Sequence, residues 1–239
     1  MKAFLQHWIE RAGYRLYRER PRDLANPVPV ELAAHRALLR AILKDRRVDT
    51  VLDVGAHTGG YGALLRELGY AGEIVSFEPV GASYAALSAR LDPHWKAHRL
   101  ALGAANGTLA LNVAGESNFT SFLEPIATDR FAGSATERVE QVEVRRLDEV
   151  ASGERIFLTT DTQGWDLEVV EGARGLLDRV VGLQVELSVQ PLYDGAPDWL
   201  AMLGTLRELG FVAVSLTGVG RADLAALEFD CLLVRDRAR

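Results

Sequence analysis

The sequence predicts an α/β protein: a mainly parallel sheet with helices on both faces and an antiparallel last strand. Three observations carry this. From Thr50 onward, short β-rich runs alternate with helical stretches of crossover length. Several apolar runs end in a carboxylate or a glycine turn, as in Asp53-Val54-Gly55 and Phe77-Glu78-Pro79. The last two β-rich runs are joined by a segment bearing Gly218 and Gly220, too short for a helical crossover, so they pair antiparallel.

Residues 1–22 hold Lys2, Arg11, Arg15, Arg18, Arg20 and Arg22 against Glu10 and Glu19. Leu5, Trp8, Ile9, Ala12 and Leu16 recur at helical spacing, which predicts a basic amphipathic helix. Packing of its apolar face on the main domain or on a second copy of the chain is favoured over contact with an anionic membrane surface. Pro21, Pro27 and Pro29 mark an extended linker, and a helix is expected at about Glu31–Lys44. Residues 1–46 are thus read as an N-terminal helix, linker and helix, and residues 47–239 as the main domain.

In that domain strands are expected at Thr50–Val54, Glu73–Phe77, Ala97–Leu102, Arg155–Thr160, Val180–Leu187, Phe211–Leu216 and Glu228–Val234. Helices are expected at Gly60–Leu68, Gly81–Leu91, Asp166–Leu177 and Asp198–Leu209. Leu109–Val113 and Arg138–Arg146 look like strands and Gly115–Gly133 like a loop, together an insertion or edge extension beside the site.

With 239 residues, 48% of them hydrophobic, the chain can bury a sizeable core without disulfide or metal staples. Its net charge of −6 supplies no basic field, so no nucleic-acid partner is expected. No apolar run reaches the ~20 residues of a membrane span, and the N-terminus has no secretory pattern. The single cysteine, Cys231, sits in an apolar run and reads as a core residue; with no disulfide to form, a cytoplasmic location is expected.

Five stretches carry chemistry. The first is Asp53-Val54-Gly55-Ala56-His57-Thr58-Gly59-Gly60-Tyr61, a strand end opening through a glycine loop into a helix. In a doubly wound sheet, ligands bind beyond the carboxyl ends of the strands. The loop has neither the Gly-x-Gly-x-x-Gly spacing of dinucleotide sites nor the Lys-Ser/Thr of a P-loop, and Asp53 suits an ammonium group. Glu78, followed by Pro79, ends the next strand, where a carboxylate can accept both hydroxyls of a ribose. Ala101 and Leu102 could flank a flat base. Asp161 and Gln163 follow the fourth strand; Asp161 could equally cap the next helix. Glu186 lies inside an apolar strand, where an unpaired carboxylate is costly unless it has a task such as general base.

Together these stretches resemble the FkbM family of class I S-adenosylmethionine-dependent methyltransferases. The likeness rests on Asp53–Gly59, Phe77-Glu78-Pro79, Leu147-Asp148-Glu149, Asp161-Thr162-Gln163-Gly164 through Glu171-Gly172-Ala173, Glu186, Leu192-Tyr193 and Leu209-Gly210-Phe211, in family order. It implies a Rossmann-like seven-stranded sheet, S-adenosyl-L-methionine as cofactor, a methyltransferase catalytic domain over residues 47–239, and O-methylation of a hydroxyl on a sugar, glycan or polyketide-type natural product. Cofactor contacts are expected from Asp53, Gly55, Ala56, His57, Thr58, Gly59, Tyr61, Glu78, Pro79, Ala101, Leu102, Asp161 and Gln163. Asp161, Glu186 and His57 are the catalytic candidates, and Asn118, Ser121, Gln163 and Tyr193 the acceptor candidates, with Phe119 and Phe122 in a lid. Two departures stand out: His57 where the family usually has Asn, and Thr159-Thr160 where it usually has Lys-Ile. No metal is expected, a set of Asp161, Glu186 and His57 being the weaker alternative. A nicotinamide-dependent oxidoreductase would need the missing glycine pattern. A non-catalytic binding protein on this scaffold draws support only from His57 and Thr159.

Overall fold

The computed structural model describes residues 29–115, 119–126, 135–190, 192–222 and 225–236. The basic helix expected in residues 1–22, and Asn118, lie outside the described residues.

Helix α1 (Pro29–Asp45) precedes β1 (Thr50–Val54), α2 (Gly60–Glu67), β2 (Glu73–Phe77), α3 (Gly81–Ser88) and β3 (Trp95–His98). A short β4 (Ala101–Leu102), β5 (Gly107–Ala114) and β6 (Thr136–Arg145) follow, then α4 (Leu147–Val150), β7 (Ile156–Thr160) and α5 (Asp166–Gly172). A 3₁₀ turn at Arg174–Arg179 leads into β8 (Val180–Ser188), α6 (Trp199–Glu208), β9 (Phe211–Ala222) and β10 (Ala225–Arg235). The seven-stranded sheet has the order β3-β2-β1-β7-β8-β10-β9. Strand β10 runs antiparallel to both neighbours, and the pairings from β3 to β8 are parallel. The order reverses between β1 and β7, which is where such sheets open a crevice for ligands.

Alternation along the strands divides the core in two. Val51 and Phe157 face a layer containing Leu39 and Ile42 of α1, Leu65 of α2 and Leu87 of α3. Leu52 and Leu158 face the opposite layer, with Val169 and Val170 of α5 and Met202 and Leu206 of α6. Cys231 is fully buried in that second layer.

Four expectations need correction. The single strand at Ala97–Leu102 splits: residues 95–98 pair with β2, while Ala101 and Leu102 pair with Val144 and Arg145 of β6. The chain between has to pass from one sheet to the other. Of the insertion or edge extension expected between Leu102 and Arg155, the insertion is what is found and the edge extension is not, because β4, β6 and β5 form their own three-stranded sheet. The helix expected at Asp166–Leu177 ends at Gly172, where a Cβ would lie 2.1 Å from the Gly103 carbonyl oxygen. Close packing on that backbone tightens the following turn into 3₁₀ geometry. Gly218 and Gly220 are strand residues of β9 and not its connector, since the β9–β10 ladder continues to Ala222 and Ala225. Glycines there accompany the register shifts on the opposing strand between Ala226 and Phe229.

No helix among the described residues is long and apolar enough to cross a membrane.

Candidate active site

The loop after β1 is built from alternating left-handed residues. Gly55, His57 and Gly59 have φ of 80°, 48° and 83°. At Gly55 a Cβ would fall 2.0 Å from the Asp161 carbonyl oxygen, so this glycine packs the β1 loop onto the tip of β7. The Gly55 and Ala56 N–H groups donate to the Phe77 carbonyl, pinning the same loop to β2. His57 occupies the conformation that Asn, Asp and His adopt most readily after glycine, so the change from the family's Asn preserves the backbone shape.

Glu78 closes the arrangement. Its two carboxylate oxygens accept the His57 and Val80 N–H groups, each at 2.8 Å. A carboxylate has about four lone-pair positions, so each oxygen retains one for a ligand. Burial raises the Glu78 carboxyl to about 7, against the lowering effect of the two backbone N–H groups. Asp53 is buried and accepts the Ser76 hydroxyl at 2.8 Å, and Ser76 in turn accepts the Trp95 indole N–H at 3.0 Å. Burial lifts the Asp53 carboxyl to about 6, the serine bond opposing it.

Beyond β7 the chain turns through Gln163 and Gly164, at φ of 53° and 87°. The Gln163 carboxamide stands at the centre of a network. Its amide donates to Asp161 Oδ1 at 2.9 Å and to Glu186 Oε2 at 2.8 Å, and its carbonyl accepts the Tyr193 hydroxyl at 2.8 Å. The Ser121 hydroxyl donates to the Gln163 backbone carbonyl at 2.7 Å. A non-glycine residue held in a left-handed conformation costs about 1 kcal/mol or more and persists where its surroundings fix it. Asp161 is not the helix cap, since the N-cap position of α5 is Trp165 and no side chain caps it. Loss of solvation raises the Asp161 carboxyl to about 7, and burial with the charges of Asp161 and Glu228 holds the Glu186 carboxyl well above its usual range.

Two cavities meet along the Gly55–His57–Asp161 seam. The larger, about 430 Å³, is walled by Glu78, Pro79, Ala101, Leu102, Leu111, Ser121, Phe122, Gln163, Glu186 and Glu228, with Phe119 and Thr120 also on its wall. The smaller, about 270 Å³, is bounded by Asp53, Ala56, Thr58, Tyr61, Thr159, Thr160, Gln184 and Asp230. Among the described residues neither is lined by a lysine or arginine. Among the described residues no three His, Cys, Asp or Glu side chains are grouped to hold a metal ion.

Most of the expected site residues therefore converge. Two stand off the cavity walls. Gly59 serves packing, because a Cβ there would meet Leu87 at 2.9 Å. Tyr193 is 2% exposed and braces Gln163 from behind, its hydroxyl also donating to the Phe119 carbonyl at 3.1 Å. Sequence reasoning missed Glu228, Gln184 and Asp230 as wall residues. The signal was present: each is a polar side chain in an apolar strand, the argument already applied to Glu186.

A β1 glycine loop, a β2 carboxylate, a cavity at the switch point and an antiparallel strand inserted beside the sheet edge define a class I methyltransferase fold. The chain belongs to the FkbM methyltransferase family, whose domain model matches residues 53–213. Among solved structures it is similar to an rRNA methylase from Streptococcus thermophilus, at 14% identity and a TM-score of 0.46 over 83% of this chain and 94% of that one. It is also similar to magnesium protoporphyrin IX methyltransferase from Synechocystis PCC 6803 with bound SAH, at 9% identity and a TM-score of 0.46 over 99% and 100% of the two chains. A third is 1,6-didemethyltoxoflavin-N1-methyltransferase from Burkholderia thailandensis, at 12% identity and a TM-score of 0.47 over 86% and 78%. No curated protein matches the chain.

Proposed function

We propose that the chain is an S-adenosylmethionine-dependent O-methyltransferase acting on a hydroxyl of a sugar, glycan or polyketide-type acceptor in the cytoplasm. The observation that carries this reading is the paired carboxylates of Asp161 and Glu186, bridged by one carboxamide on the wall of the larger cavity. They stand beside the seam that joins a ribose-type carboxylate, Glu78, to an ammonium-type carboxylate, Asp53.

The residues present suit the cofactor. Asp53, buried and oriented by Ser76, offers an anion to the amino group. Glu78 offers its remaining lone pairs to the ribose, and Ala101, Leu102 and Leu111 give the base an apolar slot. When bound, S-adenosylmethionine supplies an electrophilic methyl group with a neutral leaving group, so the protein's task is alignment, exclusion of water and removal of one proton. Burial raises the Asp161 carboxyl to about 7 and the Glu186 carboxyl well above its usual range, so in their ionised forms both are stronger bases towards a hydroxyl proton than ordinary carboxylates. Gln163 holds both at a fixed separation, and Tyr193 and Ser121 hold Gln163. Phe119 and Phe122 offer apolar cover for the acceptor, and Phe122 packs on Trp165 with ring centroids 5.1 Å apart.

Incubation with S-adenosylmethionine and a panel of hydroxylated glycans and polyketides is expected to release S-adenosylhomocysteine together with a methyl ether. Glu186→Gln is expected to lower kcat about 10²–10⁴-fold, the usual contribution of a general base, while S-adenosylhomocysteine affinity stays within about twofold. An N-methyl product, or full activity in Glu186→Gln, would overturn the assignment.

A further inference from the structure

A chain of hydrogen bonds connects α1 to the wall of the smaller cavity. His35, 4% exposed, sits on the buried side of α1. Its Nδ1 lies 3.0 Å from the Thr217 hydroxyl of β9, and its Nε2 lies 3.4 Å from Gln184 Oε1 of β8. The same Gln184 oxygen accepts the Tyr61 hydroxyl at 3.0 Å, and the Gln184 amide donates to Asp230 Oδ1 at 3.4 Å. Tyr61, Gln184 and Asp230 line the cavity, while His35 and Thr217 stand behind them.

In the neutral imidazole one proton arrangement satisfies every contact. A carbonyl oxygen can only accept, so Nε2 of His35 carries its proton and donates to Gln184. Nδ1 is then the acceptor, and Thr217 donates to it. Two donors converging on Gln184 Oε1 fix which end of the carboxamide is oxygen, so its N–H₂ faces Asp230 and the cavity. A carboxamide without those two donors could flip, presenting its carbonyl where its N–H₂ had been. His35, Thr217 and Asp230 all lie outside residues 53–213, the span matched by the family model.

We infer that His35 is a positioning residue for the amino-acid end of the cofactor. Acting through Gln184, it orients the carboxamide and the Tyr61 hydroxyl that meet a ligand's ammonium and carboxylate groups, and so makes α1 a structural part of the cofactor site. The inference rests on the reading that this cavity receives that end of S-adenosylmethionine.

Two ligands separate the possibilities: S-adenosylhomocysteine, which carries the amino-acid end, and 5′-methylthioadenosine, which lacks it. In calorimetric titrations His35→Ala is expected to weaken the first about tenfold and the second less than twofold. His35→Gln, which can still donate to Gln184, is expected to recover most of the loss. Should His35→Ala fail to fold, Thr217→Val removes the hydroxyl that orients the imidazole and carries the same selective expectation. Equal weakening of both ligands would reduce His35 to a packing residue and overturn the inference, as would no change in either. Wild-type protein that binds neither ligand would instead overturn the proposed function.

Discussion

Glu78 ties down the loop and, in the proposed function, also meets the cofactor's ribose, and its environment pulls its ionisation both ways. The two backbone N–H groups it accepts favour the carboxylate, and burial favours the neutral acid. Removing the side chain would strip the proposed ribose contact and leave the Val80 and part-buried His57 N–H groups without their acceptor, at about 1–3 kcal/mol for a lost buried partner. Glu78→Ala is therefore expected to weaken S-adenosylhomocysteine binding at least tenfold by isothermal titration. Unchanged affinity would reject the ribose assignment. Both this residue and Asp53 were legible in the sequence because each interrupts an apolar strand at its carboxyl end. Glu228 and Asp230 break their strand in the same way, but a terminal strand beside Cys231 reads as core until its neighbour β8 is known. His35 was not legible at all. Its partners are 149 and 182 residues away, and a histidine on a helix gives no sign of which strands it will meet.

The β1–α2 unit shows how glycines divide their work within one element. Gly62 lies under the Trp95 indole, where a Cβ would sit 2.1 Å from the ring, whereas a Cβ at Gly60 would meet nothing within 4 Å. Gly62→Ala must push α2 away from β3 and disturb the Trp95–Ser76–Asp53 chain; overpacking of this kind costs about 1–3 kcal/mol. Gly60→Ala adds helix propensity in open space and is expected to stabilise by up to about 1 kcal/mol. Denaturant unfolding of the two variants should move the midpoint in opposite directions, and a shared direction would refute the packing account. Elements with local signals were readable in the sequence. Strands β1, β2 and β7 begin and end within one residue of expectation, because each is a short β-rich run bounded by turn residues. The breaks were not readable where their cause is distant. Helix α5 stops at Gly172 because of Gly103, and the strand expected at Ala97–Leu102 divides because Ala101 finds Val144. The glycine-bearing stretch of β9 reads as a connector because glycine's usual meaning is local, while here the β10 ladder overrides it.

Across the whole molecule, the carboxylates fall into two populations with opposite effects on stability. At the carboxyl edge of the sheet, Asp53, Glu78, Asp161 and Glu228 are raised to about 6, 7, 7 and 7 from ordinary values of 3.8 or 4.5, chiefly by burial, and burial also lifts Glu186 well above its usual range. On the surface, Glu73, Asp92, Asp148, Glu149 and Glu171 are lowered by His94, Arg66, Arg146, Asn106 and Arg174 respectively. A raised group keeps its proton in the folded state over the interval in which the unfolded chain has already lost it. Its stabilising effect is full below the unfolded pKa and disappears as pH climbs through the folded one. The lowered groups act oppositely, contributing above their unfolded pKa and losing that contribution as pH falls through the folded value. The two trends place the stability maximum of the ligand-free protein near pH 5, on the acid side of neutrality. A group shifted by about two units corresponds to roughly 3 kcal/mol, which for a chain of this size lowers Tm by roughly 5–10 °C between pH 5 and pH 8. Thermal scans across that range should show the decline, and Glu78→Gln combined with Asp53→Asn should make it shallower, because neither amide titrates while Asp161, Glu186 and Glu228 keep their share. A Tm that is level or rising from pH 5 to pH 8 in the wild-type protein would mean that the strand-tip carboxylates are ionised at no cost to the fold.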